Sequence, residues 1–217
     1  MMVFEDPERV KTSLRQMAKY VDDLYVMNNG DCDDDTWKAI CELEEEIPFL
    51  RKISWPQNVK YYGSDSLGEG WDEPKRRNFC IEQCKYDNIL TLDSDEIICD
   101  VDINYFREID SPLRLQRYNI LSPTKYIVAV NGGKWFPDLQ LRFFQKEDVR
   151  YVNSKLHCFL CHDMGKGKCV DSGIAKCKIW HFRRARIEET EIKSNIEYDI
   201  LPEQKPEHFL DMITTPR

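Results

Sequence analysis

The chain has 217 residues, 41% of them hydrophobic and 12% aromatic, with a formal net charge of −8. That size and composition suit one folded domain with a sizeable core, and the acidic balance argues against a general nucleic-acid binder. No apolar run approaches the ~20 residues of a membrane span, and the N-terminal stretch lacks a signal-peptide core, so a soluble, cytoplasmic protein with no transmembrane segment is expected.

In chain order, Val3 and Phe4 read as the end of a short strand. Asp6-Pro7-Glu8 then opens a helix, with acids and a proline in its first turn. Val10, Leu14 and Met17 keep helical spacing and carry it to about Tyr20. Leu24 to Met27 is a compact strand, stopped by the turn residues Asn28-Asn29-Gly30. Asp31, Asp33, Asp34 and Asp35 precede a helix expected from Thr36 to about Glu46. Acids at a helix start complement its dipole, so capping explains them without a ligand. Val59 to Tyr62 reads as a weak strand, and Gly63 to Gly70 as a loop. Glu73-Pro74 begins a third helix through Cys84. Lys75, Arg76 and Arg77 in its first turn oppose the dipole, and cations beside free helix N–H groups suit a phosphate.

The next stretch, Ile89-Leu90-Thr91-Leu92-Asp93-Ser94-Asp95-Glu96, is an apolar strand ending in three acids. Desolvating carboxylates is costly unless they are paired or bound to metal. Along an extended chain Asp93 and Asp95 would share a side. Two converging carboxylates suit a hard divalent cation, Mn²⁺ or Mg²⁺, with positions left for phosphate oxygens. The plainer reading is an acidic turn. To this point the order is β-α-β-α-β-α-β, which predicts a parallel sheet covered by helices.

Leu115 to Leu121 and Lys125 to Val130 read as a hairpin joined by Ser122-Pro123-Thr124. Leu139 to Phe144 alternates as a strand. A helix is expected from Ala185 to about Ile196, and 196–217 is expected to be an exposed tail. Nine cysteines leave an odd thiol. Cys158-Phe159-Leu160-Cys161-His162 has the spacing of haem attachment, and Cys158, Cys161, Cys169 and Cys177 suit a structural zinc. Disulfides or plain thiols account for the same residues. A zinc-binding or redox module is therefore one functional reading.

The other comes from a likeness. Tyr20 to Thr36, Arg77-Asn78-Phe79 through Asp93-Ser94-Asp95-Glu96, Leu141-Arg142-Phe143-Phe144 followed by His157, and Ile179-Trp180-His181-Phe182 together resemble the GT-A-fold glycosyltransferases. The similarity is to the large inverting family two, in its lipopolysaccharide-core glucosyltransferase branch, and it covers roughly residues 1–195. The resemblance implies an α/β, Rossmann-like single domain with a mixed, mainly parallel sheet flanked by helices. Residues 1–100 would form the nucleotide-sugar half. Residues 101–195 would form the acceptor half, with a cysteine-rich insertion at 156–181. It further implies that Asn28, Asn29 and Asp33 line the base and ribose pocket and that Arg77 reaches the diphosphate. Asp93 would meet ribose or metal, Asp95 would be the main metal ligand, and His157 or His181 would add another. Asn28 stands where the family usually has an acid. The family's usual catalytic Glu-Asp pair is absent, and Asp138 is the nearest substitute for the base, with Glu96 behind it. The donor implied is a nucleotide-sugar, a UDP-sugar first, and the acceptor a glycan, a lipid-linked sugar or a protein. A catalytically inactive binding domain of the same fold is the third reading.

Overall fold

The computed structural model describes residues 2–3, 7–29, 34–55, 73–99, 101–130, 132–134, 136–147, 149–152, 159–162, 168–169, 172–182, 196–202, 205–207 and 212. The chain opens with β1 (Met2–Val3), α1 (Pro7–Ala18), β2 (Leu24–Asn28), α2 (Asp35–Glu42) and β3 (Leu50–Ser54). The three strands make a parallel sheet in the order β1-β2-β3. All five residues of β2 are buried. A strand covered on both faces reads as a continuous apolar run, which is why Leu24 to Met27 stands out in the sequence. Asp34 caps α2, its side chain accepting from the Trp37 backbone N–H at 2.6 Å. That is the capping role its position suggests.

Next come α3 (Glu73–Gln83), β4 (Asn88–Leu90), β5 (Glu96–Cys99), α4 (Ile103–Glu108), β6 (Leu113–Asn119), β7 (Lys125–Val130), β8 (Gly133–Lys134) and β9 (Asp138–Gln145). They are followed by β10 (Arg150–Val152), β11 (Phe159–His162), β12 (Lys168–Cys169), β13 (Gly173–His181) and β14 (Ile196–Ile200). A five-stranded sheet of order β4-β9-β6-β13-β5 forms the centre. Only β6 and β13 run parallel in it; its other pairs are antiparallel. Two small antiparallel sheets, β10-β11-β12 and β14-β7-β8, complete the set.

The architecture is mixed α/β, but the expected predominance of parallel pairing is confined to β1-β2-β3. β4 follows α3 as a crossover would require, yet it pairs antiparallel with β9, a strand from the second half. Other expectations shift too. A strand lies at Leu50–Ser54, where none was expected, and Val59 to Tyr62 is outside the described residues. α2 ends at Glu42 rather than near Glu46, because Leu43 caps it and its carbonyl then accepts from the N–H groups of Glu46 and Ile47. β6 and β7 share only the tip of a hairpin, a single bridge between Ile120 and Tyr126, before diverging into different sheets. Residues 183–195, where a helix was expected, are outside the described set. Residues 196–200 of the expected tail form β14 against β7, and Leu201 and Met212 are buried.

The central sheet has a core on each face. On one side Leu113 and Leu115 of β6, Ile98 of β5, and Ala175, Cys177 and Ile179 of β13 pack with Val10 and Leu14 of α1 and Val26 of β2. On the other, Tyr118, Trp180, Ile97 and Phe182 pack with Tyr126, Leu201 and Met212. Odd positions of β6 and β13 thus face the first core and even positions the second, the two-residue period of a strand.

Candidate functional site

The period that builds the first core also places the polar residues that follow it. Continuing the Leu113, Leu115 face of β6 gives Arg117 and Asn119. Continuing the Ala175, Cys177, Ile179 face of β13 gives His181, and Ile98 on β5 is preceded on its face by Glu96. Strand register sets these side by side. Asn119 is opposite His181, His181 is opposite Glu96, and Arg117 is opposite Asp138. A row of polar side chains therefore crosses the sheet where its apolar face ends.

The Asp93-Ser94-Asp95-Glu96 stretch enters this row from β4, but as a turn rather than an extended strand. The Glu96 N–H donates to the Asp93 carbonyl at 3.1 Å, and the Asp93 N–H donates to Glu96 Oε2 at 3.1 Å. The turn sends the two aspartates to different partners, so the expected convergence on one side of the chain does not occur. Asp93 Oδ1 accepts from Arg77 at 2.9 Å and its Oδ2 from Arg142 at 3.2 Å. Burial by itself would raise the Asp93 carboxyl, but the charges of Arg77 and Arg142 outweigh it and hold the group well below the usual carboxylate range. Asp95 lies instead beside His181, with its Oδ2 3.4 Å from Nε2. The Phe182 N–H, donating to the Asp95 carbonyl at 2.8 Å, ties the turn to the end of β13.

Glu96 has no exposed side-chain surface. Its Oε1 accepts from Arg142 at 2.7 Å and from Arg117 at 3.2 Å. It sits beneath the row as a buried counter-ion, not at an open face. Asp138 is more accessible, with 17% of its side chain exposed. Its Oδ2 accepts from Arg117 Nε at 2.8 Å and Asn119 Nδ2 at 3.0 Å, and its Oδ1 accepts from Gln140. Burial opposes ionisation there, but the Arg117 charge and the donors from Asn119 and Gln140 outweigh it and keep the carboxyl below its ordinary range. Arg77 is shared, donating to Glu73 at 2.7 Å as well as to Asp93.

The remaining candidates are more dispersed. Asn28 and Asn29 are buried at the end of β2. Asn28 Nδ2 donates to Asp34 at 3.1 Å, and Asn29 Oδ1 accepts from Arg76 at 3.4 Å. Asp33, Trp135, His157 and Cys158 lie outside the described residues. Phe136 packs edge-on to Tyr126 at 4.8 Å and tilted on Tyr118 at 5.2 Å, against the second core. In the cysteine-rich stretch, Cys161 and Cys169 are register partners across β11 and β12. Cys177 is buried in the first core at 2% exposure. Among the described residues no group of three or more His, Cys, Asp and Glu could hold a metal.

A cavity of about 450 Å³ opens between the C-terminal end of α1, the starts of β2 and β4, and α4; Tyr20, Leu24, Asn88 and Phe106 line it. It contains none of the candidate residues and lies toward the opposite end of β4 from the acids. Arg77, Asp93, Glu96, Arg117, Asp138 and Arg142 pair with one another at the end of the sheet instead, which makes that end the candidate site.

Arg117, Asn119 and Arg142 are the site residues that the sequence reading passed over. Their signal was present: polar residues on the inward face of a strand, directly after Leu113 and Leu115 or beside Phe143, imply buried partners. No protein-family model matches the chain, and no curated protein matches it. Among the described residues no helix is long and apolar enough to cross a membrane.

Proposed function

We propose that the chain is a metal-dependent glycosyltransferase of GT-A type. It would move a sugar from a nucleotide-diphosphate donor, a UDP-sugar first, to an acceptor hydroxyl with inversion. The observation that supports this reading most is the approach of Asp95 to His181. The two are 86 positions apart in the chain and both are candidate cation ligands, and their side chains lie 3.4 Å apart at the rim of the sheet. Further support comes from the mixed sheet, which runs from β4 of the donor half directly into β9 and β6 of the acceptor half.

The donor set fits a divalent ion of intermediate softness. One carboxylate oxygen and one imidazole nitrogen face each other, with 27% of the Asp95 side chain and 14% of the His181 side chain exposed. Asp95 and His181 would hold it. Asp93 is better assigned to fixing the turn, because both its oxygens already accept from guanidinium groups. The ion, when bound, supplies neutralisation of the charge that builds on a departing nucleoside diphosphate. Arg77 holds Asp93 at rest, and releasing Glu73 would free guanidinium donors for a phosphate oxygen. Asp138 would take the acceptor proton. Three donors now keep it a weak base, so proton transfer requires one of them to turn toward substrate. Glu96 holds Arg117 and Arg142 in place from below.

Release of nucleoside diphosphate in the presence of acceptor tests the reading. With Mn²⁺ and a matched UDP-sugar, wild type should turn over, and Asp138→Asn should lose about 100-fold or more in rate while binding nucleotide nearly as well. If Asp138→Asn transfers at the wild-type rate, Asp138 is not the base. If wild type binds nucleotide but transfers to none of the glycan, lipid-linked or protein acceptors, the inactive binding domain is the better description.

The β11–β12 register favours a second reading of the cysteine-rich stretch. With Cys161 and Cys169 in backbone register, a structural zinc or a disulfide is the reading this stretch would take. Zinc analysis of protein purified without added metal, with thiol titration, separates the two.

A further inference from the structure

Arg77 stands on α3 between two carboxylates, donating from Nε to Glu73 at 2.7 Å and from Nη2 to Asp93 at 2.9 Å. A phosphate on these donors would have to replace one of the acids, because carboxylate and phosphate draw on the same N–H groups. A third neighbour holds Arg77 without that competition. Its Cζ lies over the Tyr151 ring of β10, 5.3 Å from the centroid. An aromatic face attracts a cation through its quadrupole and needs none of the hydrogen bonds that a phosphate would take.

Tyr151 is itself fixed at both ends. Asn78, the residue after Arg77, donates from Nδ2 to the Tyr151 carbonyl at 2.9 Å, and its Oδ1 accepts from the Tyr151 N–H at 2.8 Å. The amide takes the place of a neighbouring strand, using its donor and its acceptor together. One helical turn beyond Arg77, Ile81 packs in a cluster with Tyr151, Ile89, Phe144 and Val149. At the far end of the ring the hydroxyl donates to Thr91 Oγ1 at 3.4 Å, two residues before Asp93. Tyr151 keeps only 7% exposure. Two successive residues of α3 therefore divide the contact: Asn78 sets the backbone of β10, and Arg77 rests on the ring which that backbone carries.

We infer that Tyr151 is a positioning residue that keeps the Arg77 guanidinium in place when Glu73 or Asp93 gives way to a phosphate, so that Arg77 reads the diphosphate of the donor and not its nucleoside. Chemistry separates Tyr151 from the two carboxylates. Each acid holds Arg77 only until its donor passes to the ligand, whereas the ring contact persists with ligand bound. The diphosphate consequence rests on the transferase reading; the hold on Arg77 does not.

The test uses the full chain with Mn²⁺ and compares UDP with uridine, which lacks the phosphates. Arginine Nε–H spectra, with Arg77 assigned through Arg77→Lys, report its surroundings without any ligand. Tyr151→Leu keeps apolar bulk and removes the ring. It should move the Arg77 Nε–H resonance and weaken UDP about 5–30-fold while leaving uridine unchanged. Tyr151→Phe keeps the ring and should match wild type in both readouts. Asn78→Ala leaves the ring but frees β10, and should weaken UDP in the same sense by a smaller factor. A Tyr151→Leu protein with an unmoved resonance and unchanged UDP affinity overturns the inference. So does an equal loss for UDP and uridine, which would make Tyr151 merely structural, or a Tyr151→Phe protein that behaves as the leucine variant does. If Tyr151→Leu fails to fold, Asn78→Ala and nuclear Overhauser contacts between the Arg77 Nε–H and the Tyr151 ring in wild type decide, and their absence overturns it. A wild type that binds neither UDP nor uridine sinks the transferase reading, and the Arg77 resonance then decides the positioning alone.

Discussion

Glu96 has no exposed surface, and its two oxygens serve three donors: Arg142, Arg117 and the Asp93 N–H. Removing one partner of such a buried pair leaves an uncompensated charge, typically at a cost of about 3–5 kcal/mol. Glu96→Gln should lower unfolding stability by about that amount in a urea titration, and a change under about 1 kcal/mol would show that Glu96 does not hold the arginines. Asp93 makes a different prediction. Its folded-state carboxyl lies below the ordinary aspartate value of 3.8 because Arg77 and Arg142 outweigh burial. A depressed carboxylate contributes stability that is present above its unfolded value and is lost as pH falls through the folded one. Wild-type stability should therefore drop steadily below about pH 4, and Asp93→Asn should be less stable at neutral pH but show a shallower acid limb. Parallel limbs in the two proteins would contradict this. At this scale the sequence exposed the acids readily, since charges ending an apolar run are conspicuous. It did not expose their arginines, because partners 46 positions away, as Arg142 is from Glu96, become neighbours only through strand pairing.

Helix α1 is docked on the central sheet by polar contacts as well as by Val10, Leu14 and Met17. Ser13 Oγ donates to the Glu96 carbonyl at 2.9 Å, and Gln16 Nε2 reaches the Ile98 carbonyl at 3.4 Å. Ser13 is fully buried, so its hydroxyl has no water to fall back on. Ser13→Ala should cost about 1–2 kcal/mol in chemical denaturation and loosen the backbone at the start of β5, read by faster amide exchange at Glu96 and Ile97. Unchanged exchange there would place the helix contact outside the site's support. Elements with a clean period were legible: α1 by its helical spacing, β2 by its unbroken apolar run. β3 was not, because Leu50-Arg51-Lys52-Ile53 carries adjacent charges that break the alternation. Arg51 spends its charge on Asp23, donating from Nε at 2.8 Å, and Lys52 pairs with Glu44.

Residues from the last part of the chain complete one sheet and the second core. β14 lies antiparallel to β7, and Leu201 and Met212 are buried with Tyr118, Trp180 and Phe182 in the second core. A chain ending at residue 195 would bare the edge of β7 and part of that core. It should melt lower and self-associate, as seen by calorimetry and light scattering, and an unchanged melt would restore the expectation of an exposed tail. Topology was the least legible level. The β-α-β order of the first half suggested parallel pairing throughout, but strand partners are chosen by long-range packing, and β4 found β9. The site depends on that choice, since it brings Arg142 to Asp93 and Glu96. The central claim is that Asp95 and His181 seat a cation for a nucleotide-sugar. A thermal-shift titration tests it most directly, with UDP, GDP and their sugars, with and without Mn²⁺, on wild type and Asp95→Asn. Ligand that binds only the folded state raises the melting temperature by mass action. The account predicts a Mn²⁺-dependent rise with one nucleotide in wild type and none in Asp95→Asn. No shift with any nucleotide, or a shift equal in both proteins, would contradict it.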